Sequence, residues 1–108
     1  MSDGEIQMKM IWAVVRWTYL KEIEKKLFEI GEKSFSITKV KGFERRGQSF
    51  MESDLVDHLK IEIFAQEDRV ERIKEIIVNV THTGLPGDGV FAIIPVEEFI
   101  KIRETKKA

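Results

Sequence analysis

The chain has 108 residues, of which 43% are hydrophobic and 34% charged, and its net charge is −1. This length forms one domain with a single modest core, and the balanced charge gives no basis for nucleic-acid binding or membrane-surface attraction. The chain contains no cysteine, which excludes disulfides and thiol catalysis. No apolar run is long enough for membrane insertion, and residues 1–7 lack a secretory signal. We therefore expect a cytoplasmic protein.

The first half of the chain predicts a strand, a helix and a second strand. Residues 8–17 are apolar at both alternating positions, which is typical of a strand buried on both faces. Residues 18–31 have apolar side chains at helical spacing, with Thr18 as a possible N-cap and Gly31 just beyond the end. Residues 34–43 form the second predicted strand.

The second half predicts the same elements in the order loop, strand, helix, strand. Residues 44–54 are polar and predict a loop. Residues 59–65 alternate, so that Lys60 and Glu62 point away from the apolar side of the strand. Residues 67–80 carry a helical apolar stripe, and residues 90–96 form a fourth, strongly apolar strand.

The order of elements predicts a fold and raises a problem of burial. Strand, helix, strand, strand, helix, strand is the ferredoxin-like α+β arrangement, a four-stranded antiparallel sheet with two helices on one face. Two helices cover one face only, yet strands 8–17 and 90–96 are apolar on both. An open apolar face of that size favours a homo-oligomer. The alternative is that the C-terminal tail folds back as a cover.

Three of the seven glycines fall in the stretch TGLPGDGVF, residues 83–91. Glycine allows the positive φ angles of a sharp turn. A glycine-rich turn can also present successive backbone N–H groups to a phosphate. On the residues alone the structural turn is the better interpretation, and the phosphate site is the alternative.

Four segments resemble the PII signal-transduction family, which is associated with nitrogen regulation. They are MKMIWAVVR, ITKVKGFERR, LKIEIF and TGLPGDGVFAIIPVEEFIKIR, and they span residues 8–103 in the family's order. The resemblance implies one PII-like domain over residues 1–108, with a core at 8–103, a short regulatory T-loop at 43–57 and a tail at 104–108.

The resemblance also implies how such a protein works. It implies a homotrimer that binds an adenine nucleotide, ATP, ADP or AMP, in clefts between subunits. The T-loop docks on a membrane transporter or a cytoplasmic enzyme and regulates it. The residues it places in the nucleotide site are Gly42, Arg45, Glu62, Gly84, Gly87, Asp88, Gly89, Lys101 and Arg103. The residues it places in the partner-contact loop are Arg46, Phe50 and Met51.

Individual roles follow from the same resemblance. Gly87 and Gly89 flank Asp88 in the diphosphate cradle, which reverses the preference for a purely structural turn. The Gly42 backbone meets the adenine, and Arg103 reaches a phosphate across the subunit boundary. Lys101 stands where the family has another arginine, which keeps the charge and loses the planar fork.

Three departures separate this chain from the family pattern. Val90 replaces the lysine that follows GDG, so one phosphate-binding cation is missing. Arg46 and His58 replace a glutamine and a lysine that the family uses for metal and 2-oxoglutarate. The predicted T-loop contains no tyrosine, so uridylylation of a tyrosine is not expected there.

Enzymatic and metal-binding functions have little support in the sequence. His58 and His82 are the two histidines, and they are not at metal-ligand spacing. No nucleophile is accompanied by a base. The alternative to a nucleotide sensor is a ferredoxin-like trimer that acts as a protein-interaction or metal-binding module, because this fold by itself does not decide function.

Overall fold

The computed structural model describes residues 7–43 and 55–107, which form one antiparallel sheet with two α-helices. In chain order the elements are β1 (Met8–Arg16), α1 (Leu20–Glu29), β2 (Phe35–Phe43), β3 (Leu55–Gln66), α2 (Glu67–Thr81) and β4 (Gly89–Pro95). Short 3₁₀ turns cover Trp17–Tyr19 and Ile102–Glu104. In the described part of the chain, neither α-helix has the length and apolar character to cross a membrane.

The sheet has the strand order β2-β3-β1-β4, and every neighbouring pair is antiparallel. This is the predicted ferredoxin-like topology. Strand β1 pairs with β3 on one side and β4 on the other, so β2 and β4 are the edge strands. Pro95 is the last residue of β4, where its missing N–H interrupts no central ladder.

The core lies between one face of the sheet and both helices. Alternate residues of β1 and β3 meet the apolar stripes of α1 and α2, as the periodicities predicted. The fully buried large side chains are Ile11, Ile23, Leu27, Ile61, Ile63, Ile73 and Ile77. Burial of a side chain of this size stabilises the fold by roughly 1.5–3 kcal/mol.

The start of α1 differs from the prediction, and its end agrees with it. Residues Trp17–Tyr19 form a 3₁₀ turn and the helix begins at Leu20, so Thr18 lies inside that turn and does not act as the N-cap. At the other end Gly31 has φ of 86°. Its N–H donates to Phe28 O and the next N–H to Leu27 O, the pair of bonds of a Schellman motif.

Strand β3 begins at Leu55, four residues earlier than the start predicted at residue 59. The pairs Gly42↔Val56 and Phe43↔Leu55 extend the ladder into residues that we assigned to the T-loop. Asp57 binds Lys41 and Lys39 of β2 at 2.6 and 3.2 Å. These contacts, Lys41 first, hold the pKa of the Asp57 carboxyl below its usual value. Residues 55–58 show no apolar alternation, so the sequence pattern did not predict this extension. Cross-strand ion pairs support the strand there.

The sheet face turned away from the helices, called the open face below, is only partly covered. It carries apolar side chains from three strands: Met8, Met10, Trp12, Val14, Phe64, Val90, Ala92 and Ile94. Val90 is 57% exposed and Ile94 38% exposed. Strand β1, which we expected to be buried on both faces, is therefore fully buried on the helix side only. Strand β4 has no fully buried residue on either face, since Ile93 on the helix side is 42% exposed.

The C-terminal tail, by which we mean from here on the whole chain after β4, covers one corner of the open face. The rings of Phe99 and Phe64 lie 5.3 Å apart between centroids. Ile100 and Ile102, which follow, are 57% and 86% exposed. The alternative in which the tail shields the whole face is therefore wrong for the described chain, since Val90 and Ile94 remain exposed.

Gly89 and Gly31 offer a matched test of what fixes the start of β4. Both have positive φ, but a Cβ at Gly89 would lie 1.9 Å from the Val14 carbonyl oxygen, whereas a Cβ at Gly31 meets nothing within 4 Å. We expect Gly31→Ala to lower the free energy of unfolding by about 1–2 kcal/mol, the cost of left-handed backbone for an alanine. Gly89→Ala should cost distinctly more, because β4 must also move away from β1. Urea denaturation of both variants measures the difference, and equal losses would contradict the close approach.

Candidate functional site

The loop between α2 and β4, residues 83–89 and called the glycine loop below, is closed by one carboxylate. Asp88 accepts hydrogen bonds from the backbone N–H groups of Thr83 and Gly84 at 2.7 and 2.9 Å, and from the Thr83 hydroxyl. The Leu85 N–H donates to the same hydroxyl oxygen at 3.2 Å. Asp88 therefore shapes the loop from within by gathering the N–H groups at its start.

The glycines of this loop are required by its backbone. Gly84, Gly87 and Gly89 have φ angles of 81°, 95° and 109°, in the region that residues with a Cβ rarely adopt. The conformation of the turn is thus sufficient to explain the glycine content. The backbone N–H groups that it brings together, those of Thr83 and Gly84, bind the Asp88 carboxylate.

Arg16, at the end of β1, holds the glycine loop from outside. Its Nε donates to the Gly87 carbonyl at 3.1 Å and its Nη2 to the Pro86 carbonyl at 2.7 Å. Sequence reasoning missed this residue because the contacts span 71 and 70 positions. The available signal was a cation at the end of the strand that pairs with the start of β4.

Gly42 contacts a side chain of its own chain. A Cβ at this position would lie 2.6 Å from Nδ1 of His58, so the imidazole ring packs directly on the bare backbone. His58 is 6% exposed, and its Nδ1 lies 2.9 Å from the Val56 carbonyl oxygen. His58 is opposite Arg16 in the register. Gly42, His58, Arg16 and the glycine loop therefore share one end of the sheet.

The other predicted site residues do not converge there. Glu62 lies midway along β3 on the open face, opposite Trp12, with its carboxylate 3.6 Å from the Lys60 ammonium. Lys101 lines a groove with Met8 and Phe99 at the far end of the sheet. Arg103 is exposed in the tail turn. The predictions for Arg45, Arg46, Phe50 and Met51 fall outside the described residues.

Two further features define what this end of the sheet offers chemically. Val90, the residue after GDG, is exposed on the open face and contributes no charge. Within residues 7–43 and 55–107, no three His, Cys, Asp or Glu side chains are grouped so that they could hold a metal ion. Among the described residues, the Arg16 guanidinium and the Asp88 carboxylate are charged groups that contact the glycine loop directly.

The hydrogen bonds to Asp88 change its titration. The Thr83 hydroxyl, then the Thr83 and Gly84 N–H groups, stabilise the ionised form and lower the pKa of Asp88 from 3.8 to about 2. A carboxyl with a depressed pKa contributes stability that is fully present above its unfolded value. That contribution is lost as the pH falls through the folded value.

The Asp88→Asn variant tests this electrostatic closure of the loop. An amide accepts fewer hydrogen bonds than a carboxylate and does not titrate in this range, so wild type should have the higher melting temperature at neutral pH. The difference between the two proteins should shrink as the pH falls from 3.8 towards about 2. Thermal melts of both proteins across that range measure it, and a gap that does not change with pH would contradict the assignment.

Comparison with known proteins agrees with this fold. The family model described as Nitrogen regulatory protein P-II matches residues 8–106. Relatives of that name occur in Azospirillum brasilense, 36% identical over 93% of this chain and 96% of the relative, and in Porphyra purpurea, 39% identical over 89% and 92%. The Nitrogen regulatory protein GlnK2 of Haloferax mediterranei is 30% identical over 98% and 95%.

A solved structure agrees as well. The crystal structure of Arabidopsis thaliana PII bound to citrate matches with a TM-score of 0.75 and 25% identity, and the match covers 97% of this chain and 89% of that one. The sheet with two helices on one face is thus the fold of a solved PII protein. The chain belongs to the P-II family of nitrogen regulatory proteins.

Proposed function

We propose that this protein is a PII-like signalling regulator that binds an adenine nucleotide in clefts between the subunits of a homotrimer. The nucleotide contacts the glycine loop of one subunit and the tail cations of the next. Nucleotide binding in the cleft sets the shape of the segment between β2 and β3. This segment regulates a membrane transporter or a cytoplasmic enzyme. The protein itself is cytoplasmic and is not an enzyme.

The observation that carries this proposal is that the predicted phosphate-binding residues lie at the two opposite ends of the sheet. The glycine loop lies at the carboxyl end of β1, whereas Lys101 lies beside Met8 at its start. Nine extended residues separate the ends, which is about 27 Å at the rise of a strand. A diphosphate cannot span that distance. The tail of another copy must therefore supply the cations if both groups bind one nucleotide.

The open face supports a closed assembly. Exposed apolar side chains on a sheet face stabilise a protein when a second copy covers them. Val90 lies on this face immediately after the glycine loop. A subunit that covers the open face therefore also lies next to the glycine loop. Assembly of the trimer would thus form the cleft.

The position of Asp88 supports a regulatory role in place of a catalytic one. Its carboxylate is occupied by hydrogen bonds from Thr83 and Gly84, so it shapes the site and has no base or nucleophile function. The Arabidopsis relative was solved with citrate, a small polyanion, and a nucleotide is likewise a polyanion. The alternative function is a ferredoxin-like trimer that binds a protein or a metal and no nucleotide.

A subunit-mixing experiment tests the cross-subunit site. Gly87→Val should break the glycine loop, and Arg103→Ala should remove the tail cation, so each homotrimer should bind ADP weakly. In trimers reassembled from equal amounts of both variants, about a quarter of the clefts combine an intact loop with an intact arginine. We expect calorimetric titration to recover about that fraction of high-affinity sites.

Two controls make the mixing experiment interpretable. Lys107→Ala removes a cation from the same tail and should leave ADP binding unchanged. Light scattering should give a trimer mass for every variant. A monomer mass for wild type would contradict the proposed assembly, and binding restored in no mixed sample would contradict the shared site.

Phosphate selectivity should reflect Val90. A missing charge-assisted hydrogen bond costs about 1.5–3 kcal/mol, and the loss should fall on the outermost phosphate. We expect ADP or AMP to bind at least as tightly as ATP, with little added by 2-oxoglutarate. Val90→Lys should strengthen ATP binding by about tenfold, whereas the uncharged Val90→Gln should not.

Arg45 or Arg46 could supply the missing charge instead, and the Arg45→Ala variant tests the first of them. If wild type prefers ATP and Arg45→Ala removes that preference, the arginine replaces the lysine that Val90 lacks. A tenfold preference for ATP that Arg45→Ala leaves unchanged would show that the terminal phosphate is held by different residues.

A further inference from the structure

We propose that Arg16 is a positioning residue of the nucleotide site, which holds two consecutive peptide groups of the glycine loop so that the Gly87 N–H faces a bound phosphate. This inference rests on the proposed function, because the phosphate is that of the nucleotide. The contacts that carry it are the hydrogen bonds from Arg16 to the carbonyls of Pro86 and Gly87, at 2.7 and 3.1 Å.

Holding the carbonyls fixes the direction of the N–H groups. The carbonyl of Pro86 and the N–H of Gly87 belong to one peptide group, and the carbonyl of Gly87 and the N–H of Asp88 belong to the next. The described peptide bonds contain no cis isomer, so in each group the N–H points opposite to the carbonyl. Arg16 draws both carbonyls towards β1. Both N–H groups are consequently turned away from the guanidinium. The turn at residues 86–87 directs the Asp88 N–H back towards the Leu85 carbonyl, so the Gly87 N–H is the one that an anion can meet.

The contact depends on arginine in particular. Two donors in the fixed plane of one guanidinium reach two successive carbonyls, whereas a lysine ammonium is a single compact donor group on a flexible stem. Arg16 is also the last residue of β1 and pairs with His58 of β3, so its backbone is fixed by the sheet. The loop is thereby tied to the most rigid part of the fold.

Arg16 also places a permanent positive charge beside the loop. Val90, which follows the loop, supplies none. This cation lies on the far side of the peptide groups from the phosphate, and it still favours binding because the Coulomb interaction does not require direct contact. The two effects of Arg16, the orientation of the N–H groups and the positive charge, can be measured separately. A lysine at position 16 keeps the charge but lacks the planar fork.

The test compares Arg16→Lys and Arg16→Gln with a matched control, Arg69→Lys. Arg69 makes the same kind of forked contact away from the glycine loop, with Nε donating to Glu32 at 2.6 Å and Nη2 to the Ile30 carbonyl at 2.8 Å. Two readouts are measured for each protein: the amide resonances and hydrogen-exchange rates of Gly87 and Asp88 without ligand, and the dissociation constant for ADP by calorimetry.

We expect both Arg16 variants to shift the Gly87 and Asp88 amide resonances and to speed their exchange, while Arg69→Lys leaves them unchanged. Arg16→Lys should weaken ADP binding by about tenfold, and Arg16→Gln by more, because it also removes the charge. Arg69→Lys should bind ADP like wild type even if it lowers the melting temperature as much as Arg16→Lys does.

Two results would overturn the role of Arg16. One is unchanged Gly87 and Asp88 amides in both Arg16 variants. The other is a loss of ADP affinity in Arg69→Lys equal to that in Arg16→Lys, since it would reflect general destabilisation. Failure of the proposed function is distinguishable: wild type would then bind no ADP, while the amide measurements without ligand would still decide whether Arg16 orients the loop.

Discussion

The close approach of Gly89 to the Val14 carbonyl oxygen is the constraint on which the glycine loop depends. A Cβ at Gly89 would lie 1.9 Å from that oxygen, so β4 can begin against β1 at this point only with glycine. Once β4 begins there, the chain leaving α2 has few residues in which to turn. The loop closes on Asp88, and its Pro86 and Gly87 carbonyls come within reach of Arg16.

The same start of β4 determines what the protein leaves exposed. Alternation places Phe91 on the helix side and Val90 on the open face beside Val14. The loop therefore lies at the margin of an apolar face that one copy does not cover. A site at that margin acquires part of its surface from whatever covers the face. In the proposed homotrimer this geometry would connect the stability of the assembly with the chemistry of its cleft, since both would involve the same few residues.

Contacts distant in sequence account for the features that could not be predicted. Apolar periodicity located all four strands and both helices, because it records burial along a single element. It did not extend β3 back to Leu55, where ion pairs between Asp57 and β2 support the ladder. It also missed Arg16 and the packing of His58 on Gly42, because each contact joins side chains and backbone that only the sheet register brings together. The resemblance marked Gly42, but it could not show which side chain of this chain occupies the space above it.

The sequence by itself determined the fold class, the family and the location of the glycine loop. Those properties follow from local patterns: alternation in strands, helical stripes, and a glycine-rich turn between α2 and β4. Only the tertiary structure decided which predicted residues meet. It joined Gly42 and the glycine loop at one end of the sheet through His58 and Arg16, and it left Lys101 at the other end. The physical reason is that antiparallel pairing brings together residues tens of positions apart, and a linear pattern does not record that register.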